Sequence, residues 1–104
     1  MTFTSGQVVT VFRSRLREDA LEEYAATAER MDELARAMPG YVDHKTFTAD
    51  DGERVTVVTF ADEASHDAWR TQLEHRRAQR RGREAFYDTY SLQVAEVRAV
   101  HAFP

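Results

Sequence analysis

Apolar and polar residues follow two different rhythms along this chain. Residues 7–15, Gln-Val-Val-Thr-Val-Phe-Arg-Ser-Arg, put Val9, Val11 and Arg13 on one face of an extended strand. Val8, Thr10, Phe12 and Ser14 fall on the other. Residues 18–37 repeat instead at spacings of three and four. Leu21, Tyr24, Ala25, Ala28, Met31, Ala35 and Met38 make one stripe, which predicts a long amphipathic helix. Glu18 and Asp19 lie in its first turn, where the helix dipole favours acids. Pro39 and Gly40 end it, because proline lacks a backbone N–H and glycine tolerates left-handed angles. The stripe is mostly Ala and Met, so the helix can lie close to a sheet.

The strand rhythm returns at 41–48 and 54–60, both rich in β-branched and aromatic residues. Asp51-Gly52 between them favours the positive φ of a hairpin turn. Val55, Val57 and Thr59 share one face, and Thr56, Val58 and Phe60 the other. No charge interrupts them, so both faces are expected to be covered. Helices supply one cover. The chain has too few elements for the other, and a second copy of the sheet, in a homodimer, is the natural cover.

Asp62 is an N-cap for a short helix to about Leu73 that carries His66 and Trp69. A second helix is expected from Glu74 to Ala85, with the stripe His75, Ala78, Gln79, Gly82 and Phe86. Glycine in a helix costs about 1 kcal/mol against alanine and is tolerated where something comes near. Residues 90–100 read as the last strand, followed by a short tail from His101 to Pro104. The order β-α-β-β-α-α-β predicts an α+β fold of the ferredoxin-like plan, with helices on one face of a four-stranded antiparallel sheet.

Composition narrows this picture. A chain of 104 residues forms one domain, with its core at about 7–98. It has no cysteine, which excludes a disulfide scaffold, a thiolate zinc site and a cysteine nucleophile. There is no signal-peptide pattern and no apolar run of membrane-spanning length, so a cytoplasmic protein with no membrane partner is expected. The net charge of −4 is unevenly spread. Residues 18–33 hold seven acids and one Arg, whereas 70–83 hold six Arg and one Glu. The basic stretch lacks interleaved aromatics. It reads as a solvated face or a helix meeting an acidic neighbour, and no nucleic-acid partner is expected.

The sequence has no Gly-rich phosphate loop, no His-Glu-x-x-His motif and no nucleophile elbow, so neither a flavin or nicotinamide cofactor nor a metal is expected. What remains is an aromatic pocket with a few polar groups. Trp69, the sole tryptophan, can stack on an aromatic ligand or simply close helix on sheet. His75 can deprotonate a phenol, or start a helix bonded to backbone. Gln79 shares its inward stripe. Phe12, Tyr41, His44, Phe86 and Tyr87 are candidate substrate contacts, with His44 facing either side of the sheet. Arg83 can stabilise an oxyanion or lie on the surface.

Several stretches together carry a family pattern. They are Met38-Pro39-Gly40-Tyr41-Val42, the Asp51-Gly52-Glu53-Arg54 turn, the strand ending in Phe60, Trp69, and Glu74-His75 through Gln79-Arg80-Arg81-Gly82-Arg83-Glu84 with Phe86-Tyr87. Over residues 7 to 98 the chain resembles the antibiotic biosynthesis monooxygenase domain family. The resemblance implies a dimeric α+β barrel whose sheets pack face to face, with a small cavity between sheet and helices in each subunit. It also implies cofactor-free oxygenation of a phenol or quinol by molecular oxygen, with the tryptophan beside the substrate. The family includes members without assigned activity, so a non-catalytic small-molecule-binding or accessory dimer stays open. Haem degradation is disfavoured: the first strand has no Asn, and the late-helix ligand position, counted from Trp69, falls at or near Gln79. His75 as a displaced ligand is what keeps that reading open.

Overall fold

The computed structural model describes residues 2–104. Strand β1 spans Val8–Leu16 and is followed by a 3₁₀ turn, Glu18–Ala20, and helix α1, Leu21–Ala37. The hairpin is β2, Tyr41–Thr48, and β3, Arg54–Phe60. Helices α2, Glu63–Thr71, and α3, Leu73–Arg81, come next. A π-helical turn, Gly82–Phe86, leads into β4, Tyr87–Glu96. All sheet pairs are antiparallel, in the order β2-β3-β1-β4. This is the expected ferredoxin-like α+β fold.

Three expected boundaries shift. The last strand begins at Tyr87 and not at 90, because Tyr87 already pairs with Leu16. It ends at Glu96 and not at 100, because its partner begins at Val8; Val97 still exchanges bonds with Gln7 and Gly6. The late helix gives way at Gly82 to the wider π turn. In α1 the buried stripe is rotated: Leu21 and Ala25 are exposed, and Leu34 packs against the core with Met31 and Met38.

The turns form for the reasons their residues give. Gly52 has φ +90°, and its N–H reaches the carbonyl of Ala49 at 2.9 Å. Gly40 has φ +82°, and a Cβ there would strike Ser65, so only glycine lets α2 begin this close to the hairpin. Asp62 caps α2 through a reciprocal pair: Ser65 N–H donates to Asp62 Oδ1 at 2.8 Å, and Asp62 N–H to Ser65 Oγ at 3.3 Å.

Charge docks the helices. Acidic α1 meets basic α3 through Arg30–Glu74 and Glu23–Arg81, with shortest separations of 2.7 and 2.6 Å. These pairs are exposed and worth little individually, but they fix the antiparallel register of the two helices. The core lies between helices and sheet, around Ala35, Phe60 and Trp69. The opposite sheet face carries Val9, Val11, Val55, Val57 and Phe47 and bears no helix. Among the described residues, no helix is long and apolar enough to cross a membrane.

Candidate active site

On the helix-covered face, two side-chain clusters lie toward opposite ends of β1. The first centres on Phe60, which is 0% exposed. Trp69 stacks on it with centroids 6.4 Å apart, and His75 stacks on Trp69 at 3.8 Å and 11°. Trp69 is 8% exposed and belongs to the core. His75 Nδ1 sits 2.9 Å from the Trp69 carbonyl oxygen. A carbonyl only accepts, so Nδ1 carries the proton, and in the neutral ring Nε2 is the free base. Nε2 makes no hydrogen bond among the described residues. Burial lowers the pKa of His75 from its ordinary value; the Trp69 carbonyl opposes that shift, and nearby His66 adds to it. The ring is therefore a neutral base near pH 7. The turn that holds it is capped by Gln72, whose Oε1 accepts from the His75 N–H at 2.7 Å.

Beside this stack, His66 Nε2 lies 2.8 Å from Thr10 Oγ1, tying α2 to β1. His66 is buried, and its edge floors a cleft of about 360 Å³ with Val8, Arg70 and Val94. On the other side of Phe60, the Tyr41 hydroxyl is 2.7 Å from His44 Nδ1, and His44 Nε2 is 3.0 Å from Asp32 Oδ1. An ionised Asp32 accepts from Nε2–H, which leaves Nδ1 to accept from Tyr41. His44 thus faces α1, with both nitrogens committed.

The second cluster is almost wholly aromatic. Phe12 meets Tyr87 edge-on at 5.3 Å and Tyr90 at 5.5 Å. Tyr24 meets Phe86 at 5.8 Å and Tyr87 at 6.1 Å. Gly82 makes room: a Cβ there would stand 2.5 Å from the Tyr87 ring. Burial, with a smaller contribution from Tyr24, holds the Tyr87 hydroxyl far above its ordinary pKa, and Arg54 opposes that shift. Tyr87 is a neutral phenol. The Arg54 guanidinium lies over the Tyr24 ring at 5.3 Å. Thr10 and Phe12 are two residues apart on one strand face, about 7 Å, so the two clusters adjoin. Along the β4 edge of this face, Tyr90, Leu92 and Val94 are 45%, 51% and 52% exposed, an apolar shelf that the helices leave open.

The candidate residues therefore separate. Trp69 and His75 are stacked together, and Phe12, Phe86 and Tyr87 cluster. Gln79 is half-buried on α3, and Arg83 is exposed. Sequence reasoning passed over His66 and Arg54 as site residues. The alternation of β3 carries the signal for Arg54, since it shares the face of Thr56, Val58 and Phe60. His66 is one turn before Trp69. Among the described residues, no group of three or more His, Asp or Glu is placed to hold a metal.

Solved structures share this fold. SnoaB, a cofactor-independent oxygenase from Streptomyces nogalater, superposes with a TM-score of 0.76 at 17% identity, over 92% of this chain and 97% of its own. Rv0793 from Mycobacterium tuberculosis gives 0.75 at 20% identity, over 86% and 92%. A conserved protein from Methanosarcina mazei Go1 gives 0.78 at 11% identity, over 88% and 93%. In sequence, the uncharacterized protein YqjZ of Bacillus subtilis (strain 168) is 35% identical over 74 residues, 71% of this chain. The chain spans 65% of the length of that relative. The profile of the antibiotic biosynthesis monooxygenase family matches residues 7–81, most of the domain just described, and the chain belongs to that family.

Proposed function

We propose that this protein is a cofactor-independent monooxygenase acting on a small phenol- or quinol-type aromatic molecule, and that it works as a homodimer. The observation that carries this reading is His75: a half-buried, neutral imidazole with Nδ1–H fixed on the Trp69 carbonyl and Nε2 unbonded. In the proposed reaction Nε2 takes the proton of the substrate hydroxyl. The resulting electron-rich anion reduces dioxygen directly. One oxygen atom becomes a ring carbonyl and the other leaves as water, with the substrate supplying all four electrons. Trp69 stacks behind the base and sets its angle, and Gln79 on the same helix offers a polar contact. Phe12, Phe86 and Tyr87 give the ring surfaces against which an aromatic substrate packs. Tyr41 and His44, bonded to each other, with His44 also bonded to Asp32, brace the wall behind Phe60.

The homodimer is supported by the helix-free face, where Val9, Val11, Val55, Val57 and Phe47 line up. A stable dimer there buries about 1,600 Å² or more in total. Light scattering should show twice the 12.0 kDa chain mass at micromolar concentration, and a persistent monomer ends the dimer reading.

A second reading, a binding dimer without turnover, is favoured by the 8% exposure of Trp69, which makes it a core residue. Oxygen uptake with a quinol and no added cofactor separates the two. Uptake that matches quinone formation and falls in His75→Gln supports the oxygenase. Binding of the quinol without uptake above the uncatalysed rate rejects it.

A further inference from the structure

Arg54 is the anomaly of the second cluster. It forms no ion pair among the described residues, and its Nε is fully buried without an acceptor. The acids at 51 and 53, and Glu23 beside Tyr24 in the chain, are engaged elsewhere. Glu53 binds Arg13, with a closest approach of 2.6 Å; Asp51 binds Arg15 at 2.8 Å; and Glu23 binds Arg81 at 2.6 Å. Only the flat face of the guanidinium is used, over Tyr24. A buried donor on a charged group left without an acceptor is costly, so the site is incomplete as it stands. Tyr87, packed on the same Tyr24 ring, keeps its proton and makes no hydrogen bond among the described residues, so it is a second donor. Around both lie ring faces and edges, open toward solvent at Tyr90.

We propose that Arg54, within the aromatic cluster of Phe12, Tyr24 and Tyr87, binds the oxyanion of an aromatic ligand that enters by displacing the exposed Tyr90 ring. Arg54 Nε–H and the Tyr87 hydroxyl donate to the anionic oxygen, and the rings pack on the ligand plane. This deepens the oxygenase reading and rests on it for the ligand's identity: the charge left by proton loss at His75 delocalises across the substrate's rings to a second oxygen, which is held at the end of the face opposite Trp69. The chemistry requires only a planar ring bearing an anionic oxygen, whether phenolate or carboxylate.

The test uses three probes on the full chain: 2-naphthoate, its neutral isostere 2-naphthamide, and 4-nitrophenol. Affinities come from calorimetry, and the nitrophenol absorption band reports its ionisation when bound. One charge-assisted hydrogen bond predicts a preference of about tenfold or more for naphthoate over naphthamide. Bound nitrophenol should ionise at lower pH than free nitrophenol. Arg54→Gln should abolish both effects while leaving naphthamide binding intact. Arg54→Lys, which keeps the charge but not the planar fork, should retain part of the preference. If Arg54→Gln does not fold, the Arg54 Nε–H resonance of the unmodified protein decides the matter: it must shift on adding naphthoate and not on adding naphthamide. Naphthoate preferred but nitrophenol ionisation unshifted restricts the site to carboxylates and overturns its role in phenol chemistry. Equal affinity for naphthoate and naphthamide, or a preference that survives Arg54→Gln, overturns the proposal altogether. Anion binding through Arg54 without oxygen uptake would reject the oxygenase and leave this site standing. Uptake unchanged in Arg54→Gln would do the reverse.

Discussion

The two ends of the helix-covered sheet face use similar residues and satisfy them differently. At the Phe60 end, Nδ1 of His75, the ring of His44, the Tyr41 hydroxyl and the N-terminus of α2 have partners, and His75 Nε2 is the one ring nitrogen of this group left free. At the Tyr87 end, Arg54 keeps a buried donor unpaired and the Tyr87 hydroxyl is desolvated. Aromatic rings pack on one another at both ends, so aromatic packing alone does not mark the functional one. Unmet polar capacity on a charged group is the difference, because a buried guanidinium donor without an acceptor is costly and points to a ligand that completes the bonding. The Phe60 end then acts as a frame that holds one neutral base, and the Tyr87 end as a receptor.

Removing the frame should have the largest effect. Phe60→Ala deletes a fully buried ring against Trp69, Tyr41 and His66, and should cost about 3–5 kcal/mol in urea unfolding. A cost below about 1 kcal/mol would mean that the two ends are equally loose. Trp69→Phe should cost about 1–3 kcal/mol, because Trp69 is part of the core. A cost near zero with loss of quinol oxidation would instead make Trp69 a cavity wall.

A smaller effect is expected at the other end. Gly82→Ala forces the Tyr87 ring to move, an overpacking cost of about 1–3 kcal/mol, offset by up to about 1 kcal/mol of helix propensity. A net loss of about 1 kcal/mol should appear, together with shifted Tyr87 and Tyr90 ring resonances. Unmoved resonances would show that the ring is not held by this glycine.

The smallest effect is a slope. The folded-state pKa of His75 lies below its unfolded value, so the folded protein binds that proton less readily than the unfolded chain. Its contribution to stability is complete above the ordinary histidine value of about 6.5 and is lost as pH falls through and below it. The urea midpoint should decline with acidification in this window, less steeply in His75→Gln. The fluorescence of the sole tryptophan should change over the same range, since the titrating ring is stacked on it. An unchanged slope in the variant would place the titration on another group.

What the sequence determined by itself is what short-range physics controls. The strand alternation, the existence of α1, the Asp62 cap, the Asp51-Gly52 turn and the meeting of acidic and basic helices all depend on neighbours a few residues apart or on summed charge. Tertiary structure decided the rest. Whether His44 faces α1 or the open sheet depends on the register of β2 against β3, and on the irregularity between Tyr41 and Asp43. His75 is a neutral base because the 72–75 turn folds its ring back onto Trp69. Arg54 stands alone because Glu53 points to the other face of the sheet, toward Arg13, and because Tyr24, distant in sequence and packed on Tyr87, lies beneath its guanidinium. Burial and pairing are sums over residues far apart in the chain, and no local pattern records them.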